Sequence, residues 1–286
     1  MTRLIDGLAC VASDYEILLC DVWGVVHNGR ESFPAACAAL ERWRAARGPV
    51  LLISNSPRPG PEVAAQLDGL GVPRGAWTTI VTSGDATRGL LRARAPGPAW
   101  RIGPGRDDPL YEGLGLSFSN LESARFIACT GPNDDEVETP EDYRAVLTRA
   151  AARDLEMVCA NPDRVVQRGE RLIFCGGALA DLYEHLGGRV AMAGKPYAPI
   201  YDLALTHADE ALGRPHERSR ILAIGDGLAT DIAGAQAQRL DRLFVAAGIH
   251  GAEVRGADGR LSARAVDDLL AMAGLSADFA MGDLAW

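Results

Sequence analysis

From residue 17 onward, short runs of apolar residues alternate with longer amphipathic stretches. EILLCD (16–21), PVLLIS (49–54) and TTIVTS (78–83) read as strands, with helices between them over Pro34–Arg47 and Pro61–Leu70. RILAIGD (220–226), a helix over Thr230–Gln238 and RLFVAA (242–247) repeat the pattern near the other end. These strands are apolar at nearly every position rather than at every second one, as expected when helices cover both faces of a sheet. The predicted fold class is therefore α/β, a doubly wound parallel sheet.

Between residues 95 and 190 the texture changes. The runs AWRI, RFIACT, LEMVCA and RLIFC are shorter, and two helices are expected, over Pro140–Arg153 and Gly177–Leu186. This stretch reads as an inserted α/β domain, which makes 1–94 and 191–286 a discontinuous core. The proline- and glycine-rich APGPAW and the segment GGRVAMAGKPY are its expected hinges.

The balance of 48% apolar and 23% charged residues over 286 positions is that of an ordinary globular chain with ample core. A net charge of −9 argues against general affinity for nucleic acid or anionic membrane, both of which are negative. A phosphate ester would meet the same repulsion, so a phosphate site here needs a cation and a local set of donors. Six cysteines without a CxxC pair, mostly in apolar runs, read as buried free thiols. Asp6, Asp14 and Glu16 interrupt the opening stretch where a signal peptide needs an apolar run, and no window reaches the ~20 apolar residues of a membrane span, so a cytoplasmic location is expected.

In doubly wound sheets ligands bind beyond the carboxyl ends of the strands. Four places qualify: Asp21 after EILLC; Ser54 and Asn55 after PVLLI; Lys195 after RVAMAG; and Asp226 with Asp231 after RILAIG. Each alone is an ordinary cap or turn residue, but together they supply what phosphoryl transfer requires: a nucleophile, carboxylates for a cation, and donors for phosphate oxygens. Asp21 can attack phosphorus. Asp21 and Asp226 can share a Mg²⁺, with Asp231 reaching it through a water, while Ser54, Asn55 and Lys195 cradle the phosphate.

DVWGVVHNG, LLISNS, AGKPY and IGDGLATDIAGA resemble, in order, the four motifs of the haloacid dehalogenase superfamily. The long insertion between the second and third resembles the class IIA branch, which includes p-nitrophenyl, pyridoxal and phosphoglycolate phosphatases and NagD-related nucleotide or sugar phosphatases. IVTSGDAT (80–87), CANPD (159–163), CGGAL (175–179) and GDxxxTDI (225–232) point the same way. The resemblance implies Asp21 as nucleophile, Asp226 as metal ligand, Asp231 as an acidic group behind it, and Ser54, Asn55 and Lys195 as phosphate ligands, with Gly24 helping to position the site. It also implies that the insertion is a cap over the phosphate, with Asn161, Pro162 and Asp163 on its substrate-facing loop. The expected ligand is a small phosphorylated metabolite, and homodimers through the cap are suggested by the same likeness.

One position departs from the pattern. Phosphatases of this kind carry a second aspartate two residues after the nucleophile, where this chain has Trp23. The backbone carbonyl that related proteins place on the metal survives the change, but the acid and base, worth typically ~10² to 10⁴-fold in rate, do not. Esters of acidic alcohols such as phenols should suffer least. Trp23 can wall the site or stack on a flat substrate. His27, in VVHNG, is a candidate replacement acid, with a surface turn histidine as the plainer reading.

IGPGRDD (102–108) lacks the full GxGxxG spacing and reads as a turn; the acidic run NDDEVETPED (133–142) reads as a solvated helix cap; and His185, His207, His216 and His250 share no metal-ligand spacing. Two further functions compete with a phosphatase. One is a catalytically weak phosphate-binding or regulatory protein, favoured by Trp23. The other is dehalogenation or phosphonate cleavage; dehalogenation needs no Mg²⁺, and Asp226 and Asp231 argue against it.

Overall fold

The computed structural model describes residues 1–168, 171–246, 250–251, 253–256 and 259–286. Thirteen strands are present among them: β1 (Arg3–Leu4), β2 (Ile17–Cys20), β3 (Val50–Ser54), β4 (Thr79–Thr82), β5 (Ala99–Ile102), β6 (Phe126–Cys129), β7 (Glu156–Cys159), β8 (Val165–Arg168), β9 (Arg171–Phe174), β10 (Arg189–Met192), β11 (Ile221–Gly225), β12 (Asp241–Val245) and β13 (Phe279–Met281). The helices are α1 (Pro34–Ala46), α2 (Gly60–Gly69), α3 (Ser83–Arg92), α4 (Arg144–Ala152), α5 (Gly176–His185), α6 (Ala198–Leu212), α7 (Ala233–Ala237) and α8 (Ala263–Met272). Ala247, the end of the predicted RLFVAA strand, lies outside the described residues.

The chain divides into two compact units, residues 1–54, 64–81 and 201–286 in the first and 55–63 with 82–200 in the second. The first is built on a seven-stranded sheet in the order β1-β13-β12-β11-β2-β3-β4, parallel from β1 through β3. β2, β3 and β11 are buried along their whole length, which is why their sequences are unbroken apolar runs. Burying a Leu or Ile fully contributes roughly 1.5–3 kcal/mol. The two chain ends meet at one edge of this sheet, where β1 pairs β13 with Arg3 opposite Phe279. Helix α1 opens on Pro34 at its first position, where the missing N–H costs nothing, and buries Leu40 and Trp43. On another part of the core, α8 packs Val266 and Leu270 with Phe244, Ile232 and Leu228.

The second unit carries a four-stranded sheet, β10-β7-β6-β5, parallel throughout, and the antiparallel pair β8–β9. One cluster joins α4 and α5 to Ile102, Ile127 and Met157 on the sheet; another joins α3, through Leu91, to Ala99, Phe126, Ala128 and Val158. Helices thus cover both faces. Helix α3 starts on a reciprocal cap: Thr82 Oγ1 accepts the Asp85 N–H at 2.9 Å, and the Asp85 carboxylate accepts the Thr82 N–H at 3.1 Å.

Two expectations need correction. The acidic run is not a solvated face throughout: Asp142 caps a helical turn through Thr139, but Asp135 is half-buried, bonded to Arg106 and at 3.0 Å to Arg168. The helix expected over Thr230–Gln238 begins instead as a π turn over Leu228–Ile232 and continues as the short α7. All six cysteines are free, five buried and Cys10 exposed. Among the described residues no helix is long and apolar enough to cross a membrane.

Candidate active site

In the first unit β2 lies between β11 and β3, so Asp21, Asp226 and Ser54 emerge from or end three neighbouring strands at their carboxyl ends. The Asp21 N–H donates to the Ile224 carbonyl at 2.9 Å, which locks the first strand end to the one before Asp226. Asp231 enters from the π turn: its N–H and that of Ile232 both reach back to the Gly227 carbonyl, at 2.9 and 3.1 Å, while its own carboxylate accepts the Gly227 N–H at 3.0 Å. A π turn widens the helical ring by one residue and is frequent at functional sites. Here it swings Asp231 back over the end of β11.

Asp21, Asp226 and Asp231 are all buried, and each offers a carboxylate oxygen within 4.8 Å of the others. Three anions so close and so far from water repel strongly unless a cation joins them. The donor set is entirely hard oxygen, which suits Mg²⁺, an ion held by one or two carboxylates with water and substrate oxygens. These residues therefore fit the metal expected from the sequence.

Gly24 sits at φ +87°, and a Cβ built on it would stand 2.3 Å from Asp226 Oδ2. Only glycine lets the backbone pass this close to the carboxylate. Trp23 is half-buried and packs across Gly29, φ +82°, where a Cβ would fall 2.4 Å from the indole Cη2. The indole also meets the His27 ring edge to face, centroids 5.1 Å apart and planes at 71°. His27 is not a surface residue: it is 2% exposed, bridges Trp23 on one side and Ser32 on the other, and its Nδ1 accepts the Gly29 N–H at 2.9 Å. That bond places the proton of the neutral ring on Nε2. His27 thereby holds the turn after Asp21 in shape. Its burial was hidden in the sequence because the local composition, HNGRE, is that of an exposed turn.

The second unit gathers Asn55, Asp163 and Lys195. Asn55 Oδ1 accepts the Lys195 backbone N–H at 2.8 Å, and its Nδ2 donates to the Lys195 carbonyl at 3.1 Å and to Asp163 Oδ1 at 2.8 Å. Both amide hydrogens are thus committed within the protein. Lys195 is 2% exposed. Asn161 lies in the loop after β7, its Oδ1 accepting the Asp163 N–H at 3.1 Å, a turn typical of Asn.

Residues 18–117 match the model of the haloacid dehalogenase-like hydrolases, and residues 192–272 match the HAD-hydrolase-like model. A solved haloacid dehalogenase-like hydrolase from Brucella suis 1330 is 44% identical, superposes with a TM-score of 0.88, and covers 98% of this chain and 100% of its own. The 5'-nucleotidase YutF of Bacillus subtilis is 26% identical over 257 residues, 89% of this chain and 96% of that protein. A glycerol phosphate phosphatase from Mycobacterium tuberculosis, solved in complex with magnesium, is 27% identical with a TM-score of 0.64, over 85% of this chain and 71% of its own. The chain belongs to the haloacid dehalogenase-like hydrolases, in their class IIA branch. The parallel sheet and the aspartates at its strand ends agree with that membership.

Proposed function

We propose that the protein is a magnesium-dependent phosphomonoesterase acting on a small phosphorylated metabolite through an aspartyl-phosphate intermediate. The observation that carries this reading is the buried convergence of Asp21, Asp226 and Asp231 within 4.8 Å. The relatives support it in kind: a 5'-nucleotidase and a glycerol phosphate phosphatase, the latter solved with magnesium.

In this reading Asp21 attacks phosphorus, the ester oxygen leaves with the bond's electron pair, and water then cleaves the acyl phosphate to regenerate the carboxylate and release phosphate. Asp21, Asp226 and the Trp23 carbonyl would hold the Mg²⁺, with Asp231 reaching it through a water. When bound, the ion neutralises charge on the transferring phosphoryl group. Ser54, Lys195 and Asn55, the last through its backbone N–H because its side-chain amide is committed, would receive the phosphate, and residues 95–190 would act as a cap, with Asn161 and Asp163 on its substrate-facing loop. Lys195 would supply the cation that a chain of net charge −9 otherwise denies an anionic substrate.

Trp23 offers no proton near neutral pH, so neither the leaving oxygen nor the attacking water has the usual partner at this position. Esters with acidic leaving groups are therefore favoured over sugar or alkyl phosphates, and the covalent intermediate should build up. The test is a p-nitrophenyl phosphate assay beside a panel of alkyl phosphates, with and without Mg²⁺, on the wild type and Asp21→Asn. Mg²⁺-dependent turnover lost in Asp21→Asn, with alkyl esters at least tenfold slower than the aryl ester, is the expected result. Fast turnover of a sugar phosphate would refute the claim about Trp23, and turnover surviving Asp21→Asn would refute the nucleophile.

A second reading, a phosphate-binding or regulatory protein with little turnover, is favoured by Trp23, whose side chain is spent on packing against Gly29 and His27. Binding of inorganic phosphate with Mg²⁺ but no release of p-nitrophenol would support it.

A further inference from the structure

We infer that Asp163 is a positioning residue that fixes Lys195 through Asn55; the functional part of this inference rests on the phosphatase reading. The geometry is a relay of three hydrogen bonds on one side-chain amide, two to the Lys195 backbone and one to the Asp163 carboxylate. Asn55 grips the Lys195 peptide at both its N–H (2.8 Å) and its carbonyl (3.1 Å). This double grip requires the Asn55 amide to lie in one plane and one orientation, oxygen toward the N–H. An amide can flip by half a turn at little cost in space, which would set like groups against each other at Lys195. Asp163 Oδ1, accepting from the second Nδ2 hydrogen at 2.8 Å, forbids the flip, because a carboxylate accepts hydrogen bonds and repels the amide oxygen.

Asp163 is itself anchored. Its N–H donates to Asn161 Oδ1 at 3.1 Å, and its carbonyl accepts the Gly177 N–H at the start of α5 at 3.0 Å. The next residues lead directly into β8, which pairs antiparallel with β9, so the position of the Lys195 peptide is tied to the start of that strand pair. Lys195 is nearly inaccessible and its backbone is held at both polar atoms, so its ammonium group leaves from a fixed root. For a cation on a long flexible stem, a fixed root reduces the conformational freedom lost on binding an anion.

The test compares Asp163→Ala and Asp163→Asn in the full-length protein with two readouts. The first is exchange of the Lys195 backbone N–H with solvent deuterium, which reads the Asn55 grip and needs neither ligand nor turnover. The second is the Kd for inorganic phosphate in the presence of Mg²⁺. Asp163→Ala should accelerate Lys195 N–H exchange by about tenfold or more, the size of a lost charge-assisted hydrogen bond, and weaken phosphate by a similar factor. Asp163→Asn keeps an acceptor oxygen and should stay within about threefold of the wild type in both. Unchanged exchange in Asp163→Ala overturns the inference whatever phosphate does, and so does an Asp163→Asn variant as impaired as Asp163→Ala. A wild type that binds no phosphate overturns the functional reading instead, while the exchange readout still decides the positioning role.

Discussion

Replacing Gly24 by alanine tests the aspartate cluster without touching a carboxylate. The new Cβ would stand 2.3 Å from Asp226 Oδ2 and 2.8 Å from its Cγ, on a backbone at φ +87°. The left-handed conformation alone costs a non-glycine residue roughly 1–2 kcal/mol. At about 2–4 °C per kcal/mol for a domain of this size, the melting temperature in EDTA should fall by about 2–8 °C. The overlap adds a second effect. Contacts below about 3.0 Å are not tolerated, so the carboxylate must retreat by about 0.7 Å or rotate away. Mg²⁺ demands near-ideal octahedral geometry, and a ligand displaced by that much is lost or bent. Losing one charge-assisted contact, about 1.5–3 kcal/mol, should raise the Mg²⁺ concentration for half-saturation by about 10- to 100-fold. The assay is thermal unfolding in EDTA and across a Mg²⁺ titration, wild type beside Gly24→Ala. A variant that melts like the wild type in EDTA and saturates within twofold of the wild-type Mg²⁺ concentration would refute the close approach and, with it, the metal site built on Asp226.

Other outcomes follow from the same contacts. Asp226→Asn removes one of three mutually repelling buried charges, so it should raise the melting temperature in EDTA while abolishing most of the gain on adding Mg²⁺; a drop in EDTA would contradict the repulsion argument. Trp23→Asp gives up the indole packing on Gly29 and His27, an edge-to-face contact of about 0.5–1.5 kcal/mol, and should melt lower, yet speed alkyl phosphates relative to p-nitrophenyl phosphate in a side-by-side rate comparison. Burial raises the Asp135 pKa, but the bonds from Arg106 and Arg168 outweigh it and hold the carboxyl below its ordinary value. Its folded pKa is thus the lower one, so its stabilisation is full above the unfolded carboxylate range near pH ~3.9 and is lost as pH falls through the folded value. The stability deficit of Asp135→Asn should accordingly be largest near neutral pH and shrink below about pH 4, read from urea unfolding at both.

The central strands were legible because burial on both faces leaves an unbroken apolar run: EILLC, PVLLI and RILAIG are apolar at nearly every position, and Asp21, Ser54 and Asp226 after them mark the strand ends. The two shortest strands were not. Arg3–Leu4 and Phe279–Met281 are two and three residues long, and nothing in so short a run separates a strand from an ordinary loop. In the insertion, AWRI and the other apolar runs stood out, whereas Val165–Arg168 was missed because its sequence, VVQR, breaks the apolar run with Gln and Arg. At the site, spacing brought Asp21, Asp226 and Asp231 forward as candidates. It could not reveal that Asp231 arrives on a π turn, that His27 is sealed behind Trp23, or that the Asn55 amide is consumed by Lys195 and Asp163. Those depend on partners 4 to 140 positions away in the chain, and composition holds no record of them.

The pairing of β2 with β11 sets Cys20 beside Ile224, and both strands lie in the middle of their sheet. During synthesis the hydrocarbon-rich Ile17–Cys20 segment therefore emerges about two hundred residues ahead of its neighbour. At roughly 5–20 residues per second it waits on the order of 10–40 s without its partner, while the whole of the inserted sheet is made. The nascent chain thus carries an exposed, sticky strand edge for that interval, a natural binding target for a ribosome-associated chaperone. Slowing translation between residues 20 and 221 should raise the aggregated fraction, whereas the same delay placed after residue 281 should not.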